Sequence, residues 1–195
     1  MEADWEIETG PQAPIIEALW EGFIDLRQSP HRIHELEEAR RFEPLAQTLL
    51  HLNRPAGQTA PVSDSAPNVW TAKCDLWPLE ASALSDPYEL NATAEECAAG
   101  IACYLDLLPR TGLVWAELSQ AESLVRQTVA QLQAAQIGSK ELRCCRADLV
   151  IRAALVGAVE GFGVTAYLSA CGRDADSAAQ ALAAALTAFA HAVSP

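Results

Sequence analysis

Four stretches of this chain alternate apolar and polar residues with a period of two, and no other feature limits the fold as tightly. Val69–Trp77 sets Trp70, Ala72, Cys74 and Leu76 on one side. Ile101–Leu108 aligns Ile101, Cys103, Leu105 and Leu107. Cys145–Leu155 aligns Cys145, Ala147, Leu149, Ile151 and Leu155, and Phe162–Ala170 aligns Phe162, Val164, Ala166 and Leu168. Such alternation marks strands with one buried and one polar face. The last two are separated by Gly157-Ala158-Val159-Glu160-Gly161, a hairpin-length connection.

Between and around the strands the period changes to that of a helix. Ser29-Pro30 reads as an N-cap with proline in the first turn, followed by Ile33, Leu36, Phe42, Leu45, Leu49 and Leu52. Pro44 breaks or kinks that helix. A second helix follows Thr111-Gly112, with Val114, Leu118, Ala121, Val125, Val129 and Leu132, and stops near Gly138. A third follows Asp174 and runs to about Val193.

From residue 29 the order is therefore helix, two strands, helix, two strands, helix. Cys74-Asp75-Leu76 with Ala102-Cys103-Tyr104-Leu105 resembles Ala147-Asp148-Leu149 with Thr165-Ala166-Tyr167-Leu168, a weak internal repeat. Trp5–Glu8 alternates like a strand. Ile15–Leu26 fits strand or helix, and Phe23-Ile24-Asp25-Leu26 favours the strand that would complete a third unit. The expectation is an α+β fold: a mostly antiparallel sheet of repeated strand–strand–helix units, with helices packed on one face. One domain spans residues 1–195, with a mobile, proline-rich loop at 54–68 and a long irregular connection at 80–96.

The 195 residues carry a formal net charge of −13, and 50% are hydrophobic. That charge repels polyanions, and no basic run interleaves with aromatic residues, so neither nucleic acid nor an anionic membrane is an expected partner. The start, Met1-Glu2-Ala3-Asp4-Trp5-Glu6, has no basic or apolar leader segment, and no apolar run reaches the ~18–20 residues of a membrane span. A cytoplasmic location is expected, with its six cysteines as thiols.

If one face of the sheet is buried, the other collects Lys73, Asp75, Trp77, Tyr104, Asp106, Arg146, Asp148, Arg152 and Tyr167, with Thr165 and Ser169. Asp25 and Arg27 are candidates to join them. Carboxylates paired in this way suit acid–base work or a hard cation. The same set also describes a solvated face of cross-strand Asp–Arg pairs, or a surface for a protein partner.

Cys74, Cys103 and Cys145 belong to the core side, where a thiol is packing. Cys97, Cys144 and Cys171 lie elsewhere. His31 and His34 have a spacing that could bind zinc but no continuation that completes a site, so no metal or other cofactor is expected. No nucleophile elbow, phosphate loop or dinucleotide fingerprint occurs. The third helix is apolar except for Ser177, Gln180, Thr187 and His191, which fits either a central helix or one shared in a homodimer.

The order helix–strands–helix–hairpin–helix from residue 29, in a small acidic chain, is similar to that of type III secretion chaperone-like folds. The resemblance implies a homodimer that binds unfolded segments of a protein partner. Ferredoxin-like folds and other α+β sandwiches share the element order. The expected function is a non-catalytic binding or adaptor protein, chaperone-like and homodimeric. The alternative is an enzyme or small-molecule-binding domain using the Asp/Arg/Tyr face.

Overall fold

A computed structural model of the chain describes residues 1–54, 68–79, 97–135 and 141–194. The irregular segments expected at 54–68 and 80–96 fall almost wholly outside them. Six strands form one sheet: β1 (Glu2–Glu8), β2 (Ile16–Ala18), β3 (Val69–Leu79), β4 (Ala99–Pro109), β5 (Cys145–Val156) and β6 (Val159–Gly172). The helices are α1 (Glu37–Arg41), α2 (Glu43–Leu52), α3 (Leu118–Ala135) and α4 (Ala175–Ala192).

The strand order is β1-β5-β6-β4-β3, with β2 pairing further along β5. Pairs β5–β6, β6–β4 and β4–β3 are antiparallel, while β1 and β2 both run parallel to β5. The sheet is thus mixed, which corrects the mostly antiparallel expectation. The N-terminal region is not a third strand–strand–helix unit. β1 and β2 do not pair with each other, and of Ile15–Leu26 only Ile16–Ala18 is strand. Parallel neighbours need no turn between them, so nothing in the local sequence announces this pairing.

The helix signals map in part: α3 begins at Leu118 and not after Thr111-Gly112, Val114 joins an apolar cluster away from the helix, and Trp115 pairs with Phe162. Asp174 caps α4, accepting from the Ser177 amide at 2.7 Å. Pro44 sits in the first turn of α2, where its missing N–H costs nothing, and the break expected of it falls at Phe42, between α1 and α2. Ser29-Pro30 opens only a 3-10 turn, and Ser29 makes no side-chain cap. β5 and β6 are joined by the two-residue turn Gly157-Ala158, with Gly157 at φ 61°. Pro78 is tolerated because β3 is an edge strand.

The main core lies between one sheet face and the helices. Cys103, Leu105 and Leu107 of β4, Cys145 to Ile151 of β5 and Val164 to Ala170 of β6 alternate into it. They meet Leu45, Leu49 and Leu52 of α2, Ala121, Val125 and Leu132 of α3, and Leu182, Leu186 and Phe189 of α4. α4 is covered on several sides within the chain, by β6, β4, α2 and α3. Its small alanines allow that close approach.

A second apolar cluster occupies part of the opposite face: Ile16, Ala18, Trp70, Ala72, Leu108, Ala154 and Val156, with Phe23 and Val114 against it. Two side assignments change with it. A register shift between Thr71 and Lys73 puts Trp70 and Ala72 in this cluster, although Cys74 and Leu76 still point to the main core. A bulge inserts one residue and so reverses the alternation.

Candidate functional site

What the second cluster leaves uncovered is a polar field ordered by strand register. One row across the sheet is Glu2, Arg146, Ser169, Ala102 and Trp77. The next is Asp4, Asp148, Tyr167, Tyr104 and Asp75, and the third is Glu6, Val150, Thr165, Asp106 and Lys73. Glu8, Arg152 and Gly163 form the last row before the apolar cluster. All nine candidate residues therefore share one face.

A half-open groove of about 640 Å³ crosses this face. Of the candidates, Trp77, Arg146, Asp148, Arg152 and Tyr167 line it, together with Asp4 and Glu6 of β1. Lys73, Asp75, Tyr104 and Asp106 do not. Lys73 lines a smaller cavity of about 180 Å³ beside Trp20 and Phe23. Asp25 and Arg27 stay out of the field. Arg27 donates to both Asp25 oxygens, at 2.9 and 2.8 Å, and its guanidinium lies 3.6 Å over the Trp70 ring. Burial alone would raise the Asp25 carboxyl, but the Arg27 hydrogen bonds and charge outweigh it and hold the group below its ordinary range.

Two arginines organise the groove. Arg146 grips Asp148 through Nε at 2.8 Å and Nη2 at 2.8 Å, with Glu2 at 3.9 Å. This offsets the placing of Asp4 directly beside Asp148. Arg152 is 9% exposed and is the hub of a network. Its Nε and Nη2 donate to Glu8 Oε2 at 2.9 and 2.6 Å, and its Nη1 donates to Tyr167 Oη at 2.9 Å and Thr165 Oγ1 at 3.2 Å. Thr165 Oγ1 in turn donates to Asp106 Oδ1 at 2.6 Å. Burial pushes the Asp106 carboxyl up, against the Thr165 hydrogen bond and the charges of Lys73 and Arg152.

An aromatic file runs beside the arginines. The Tyr104 ring lies 6.2 Å from Trp77 and 6.1 Å from Tyr167, both tilted. Burial raises the Tyr104 phenol, helped by the nearby Asp106 and Asp75 charges, so it stays neutral.

The charge balance decides what such a face can hold. Glu2, Asp4, Glu6, Glu8, Asp75, Asp106 and Asp148 are seven carboxylates against Arg146, Arg152 and Lys73. Both groove arginines already hold carboxylates. The field therefore favours a cation over an anion, and Arg152 already stacks on the Tyr167 ring at 5.4 Å from its centroid. The four β1 carboxylates escaped the sequence reading. Their alternation was legible at Trp5–Glu8, but their place on this face follows from the parallel pairing with β5.

The remaining expectations can also be placed. Cys74, Cys103 and Cys145 lie against the main core, and burial pushes the Cys74 and Cys145 thiols up to about 12. The structure departs from the expectation of six thiols by joining Cys97 to Cys171. His34 Nδ1 lies 2.6 Å from the His31 carbonyl, so this pair makes a local turn contact. Among the described residues no helix is long and apolar enough to cross a membrane. Comparisons with family models, curated proteins and solved structures find no match for this chain.

Proposed function

We propose that this chain is a non-catalytic binding domain that takes an extended, basic segment of a partner protein across the open part of its sheet. The observation that carries the reading is the groove, with its aromatic file and its surplus of carboxylates. Its lining reaches from β1 to β3, so it spans five strands. At a strand spacing of about 4.8 Å this is roughly 19 Å, or about six residues of extended chain. A Lys or Arg seated over Trp77 would gain about 0.5–2 kcal/mol from the ring.

The enzyme reading has weaker support. It needs Asp75, Asp106, Asp148 and Arg152 to converge, but Asp75 and Asp106 do not line the groove and Asp106 is hydrogen-bonded to Thr165. A homodimer through α4 is not part of the proposal, because α2, α3 and the sheet already cover much of that helix.

The test is calorimetric titration with hexapeptides that differ in charge. Peptides with two or three Lys or Arg should bind, more weakly as salt rises. Tyr167→Ala and Asp148→Asn should each weaken them about tenfold, in line with ~1.4 kcal/mol per tenfold. Equal binding of acidic and basic peptides, or binding indifferent to both substitutions, would refute the proposal.

A further inference from the structure

The six cysteines divide into two groups of three, and the second, with Cys171 buried and Cys97 and Cys144 half-buried, gathers at one end of the sheet. Cys97 lies just before β4, Cys144 just before β5, and Cys171 near the end of β6. The Sγ atoms of these three all lie within 4.8 Å of one another. The structure pairs Cys97 with Cys171 at a Cα separation of 5.1 Å.

The register makes a second pairing available. Cys145 pairs with Ala170, the residue before Cys171, and Cys144 closes the 3-10 turn Glu141–Cys144 that enters β5 at this point. The Cys144 Sγ lies within 4.8 Å of the Cys171 Sγ, as the Cys97 Sγ does, so a side-chain rotation is enough to bring either partner to bonding distance.

We propose that Cys97, Cys144 and Cys171 form a thiol–disulfide exchange site, in which Cys171 trades its partner between Cys97 and Cys144. The Cys144 thiol first loses its proton to solvent. Its thiolate attacks Cys171 Sγ, the Cys144–Cys171 bond forms, and the Cys97–Cys171 bond breaks. The Cys97 sulfur leaves with the electron pair and takes a proton from solvent. One thiol and one disulfide are present before and after, so the step needs no external oxidant.

The core thiols differ from this trio, since burial holds Cys74 and Cys145 at about 12. Among the described residues no His, Asp or Glu joins the three sulfurs.

The site also borders the groove. Cys144 and Cys171 each lie two residues from a groove-lining residue, Arg146 and Ser169. An exchange would therefore alter the chain at the groove's end, whether or not the groove binds a basic segment.

The experiment equilibrates the full-length chain in a glutathione redox buffer at pH 8, quenches with acid, alkylates, and maps disulfides by mass spectrometry. Wild type should give both Cys97–Cys171 and Cys144–Cys171 linkages. Cys97→Ser should give Cys144–Cys171, and Cys144→Ser only Cys97–Cys171. A wild type with Cys97–Cys171 alone, together with a Cys97→Ser variant that leaves Cys144 and Cys171 as thiols, would overturn the proposal. So would one zinc per chain held by the reduced protein and lost in each single Ser variant, which would make the trio a metal site instead.

Discussion

Arg152 is the residue on which the open face is most dependent, and its replacement gives the clearest stability test. Arg152→Ala removes four hydrogen bonds, two to Glu8 and one each to Thr165 and Tyr167. The Glu8 pair is discounted because the Glu8 side chain is 43% exposed and can return to water, leaving about 0.5–1 kcal/mol. Thr165 is buried and keeps Asp106 as acceptor, so losing the Arg152 donor costs it about 1 kcal/mol. Tyr167 is half-buried, and its hydroxyl adds about 0.5 kcal/mol. The total is about 2–2.5 kcal/mol, which corresponds to a fall in Tm of about 4–10 °C at this chain length. Urea unfolding of Arg152→Ala, Arg152→Met and Glu8→Gln separates the contributions. Met restores the buried stem without the guanidinium, and Gln keeps an acceptor opposite Arg152. Glu8→Gln should cost under about 1 kcal/mol, and Arg152→Met nearly as much as Arg152→Ala. An Arg152→Met variant within 0.5 kcal/mol of wild type would show that packing of the stem, and not the network, holds the face together.

Two further outcomes follow from the geometry. The buried Asp106 carboxyl has its folded pKa raised above its unfolded value near 3.8, so from 3.8 up to the folded value the folded state binds more protons and its stability falls as pH rises. Asp106→Asn should therefore gain on wild type as pH climbs through that window and hold a constant difference below it. A pH-independent difference in urea midpoints would refute the assignment. A Cβ on Gly172 would lie 2.5 Å from the Ala178 amide nitrogen and 2.7 Å from the Ser177 carbonyl carbon, both backbone of α4. Gly172→Ala should cost about 1–3 kcal/mol in urea unfolding, whereas Gly10→Ala, with nothing within 4 Å, should be silent.

Much of this architecture was legible in the chain, and what was hidden has a physical reason. Alternation is a local property, so Ile101 to Leu108 and Cys145 to Leu155 announced strands and their faces correctly. Helix punctuation is also local: Asp174 caps α4 as read, while the second helix keeps Leu118 to Leu132 but starts after Val114, where Trp115 pairs with Phe162 instead. Parallel pairing is non-local, so the contribution of Glu2, Asp4, Glu6 and Glu8 to the polar face could not be read from their own neighbourhood. The bulge at Thr71–Lys73 is a single extra residue in an otherwise regular pattern, and it moved Trp70 and Ala72 to the opposite face. The cysteine trio was hidden for a similar reason. Its members are far apart in sequence, and only the register of β4, β5 and β6 brings them to one end of the sheet.

The same register explains why the polar face is open at all. Along β5 the outward residues run Arg146, Asp148, Val150, Arg152 and then Ala154 and Val156. Along β4 they run Ala102, Tyr104, Asp106 and then Leu108. The change from polar to apolar falls at the same level on neighbouring strands, and Ile16, Ala18 and Phe23 cover only the apolar side of it. Extending that cover over Arg146 and Asp148 would bury charges whose desolvation costs several kcal/mol each. The boundary is held by Arg152, Thr165 and Asp106, which are buried yet hydrogen-bonded to one another. That chain of bonds lets a polar face end against an apolar cluster without an unsatisfied charge, and it fixes Tyr167 from below. Rigid aromatic rings beside fixed carboxylates lose little entropy on binding, which is the property that a recognition surface needs and a merely solvated one does not.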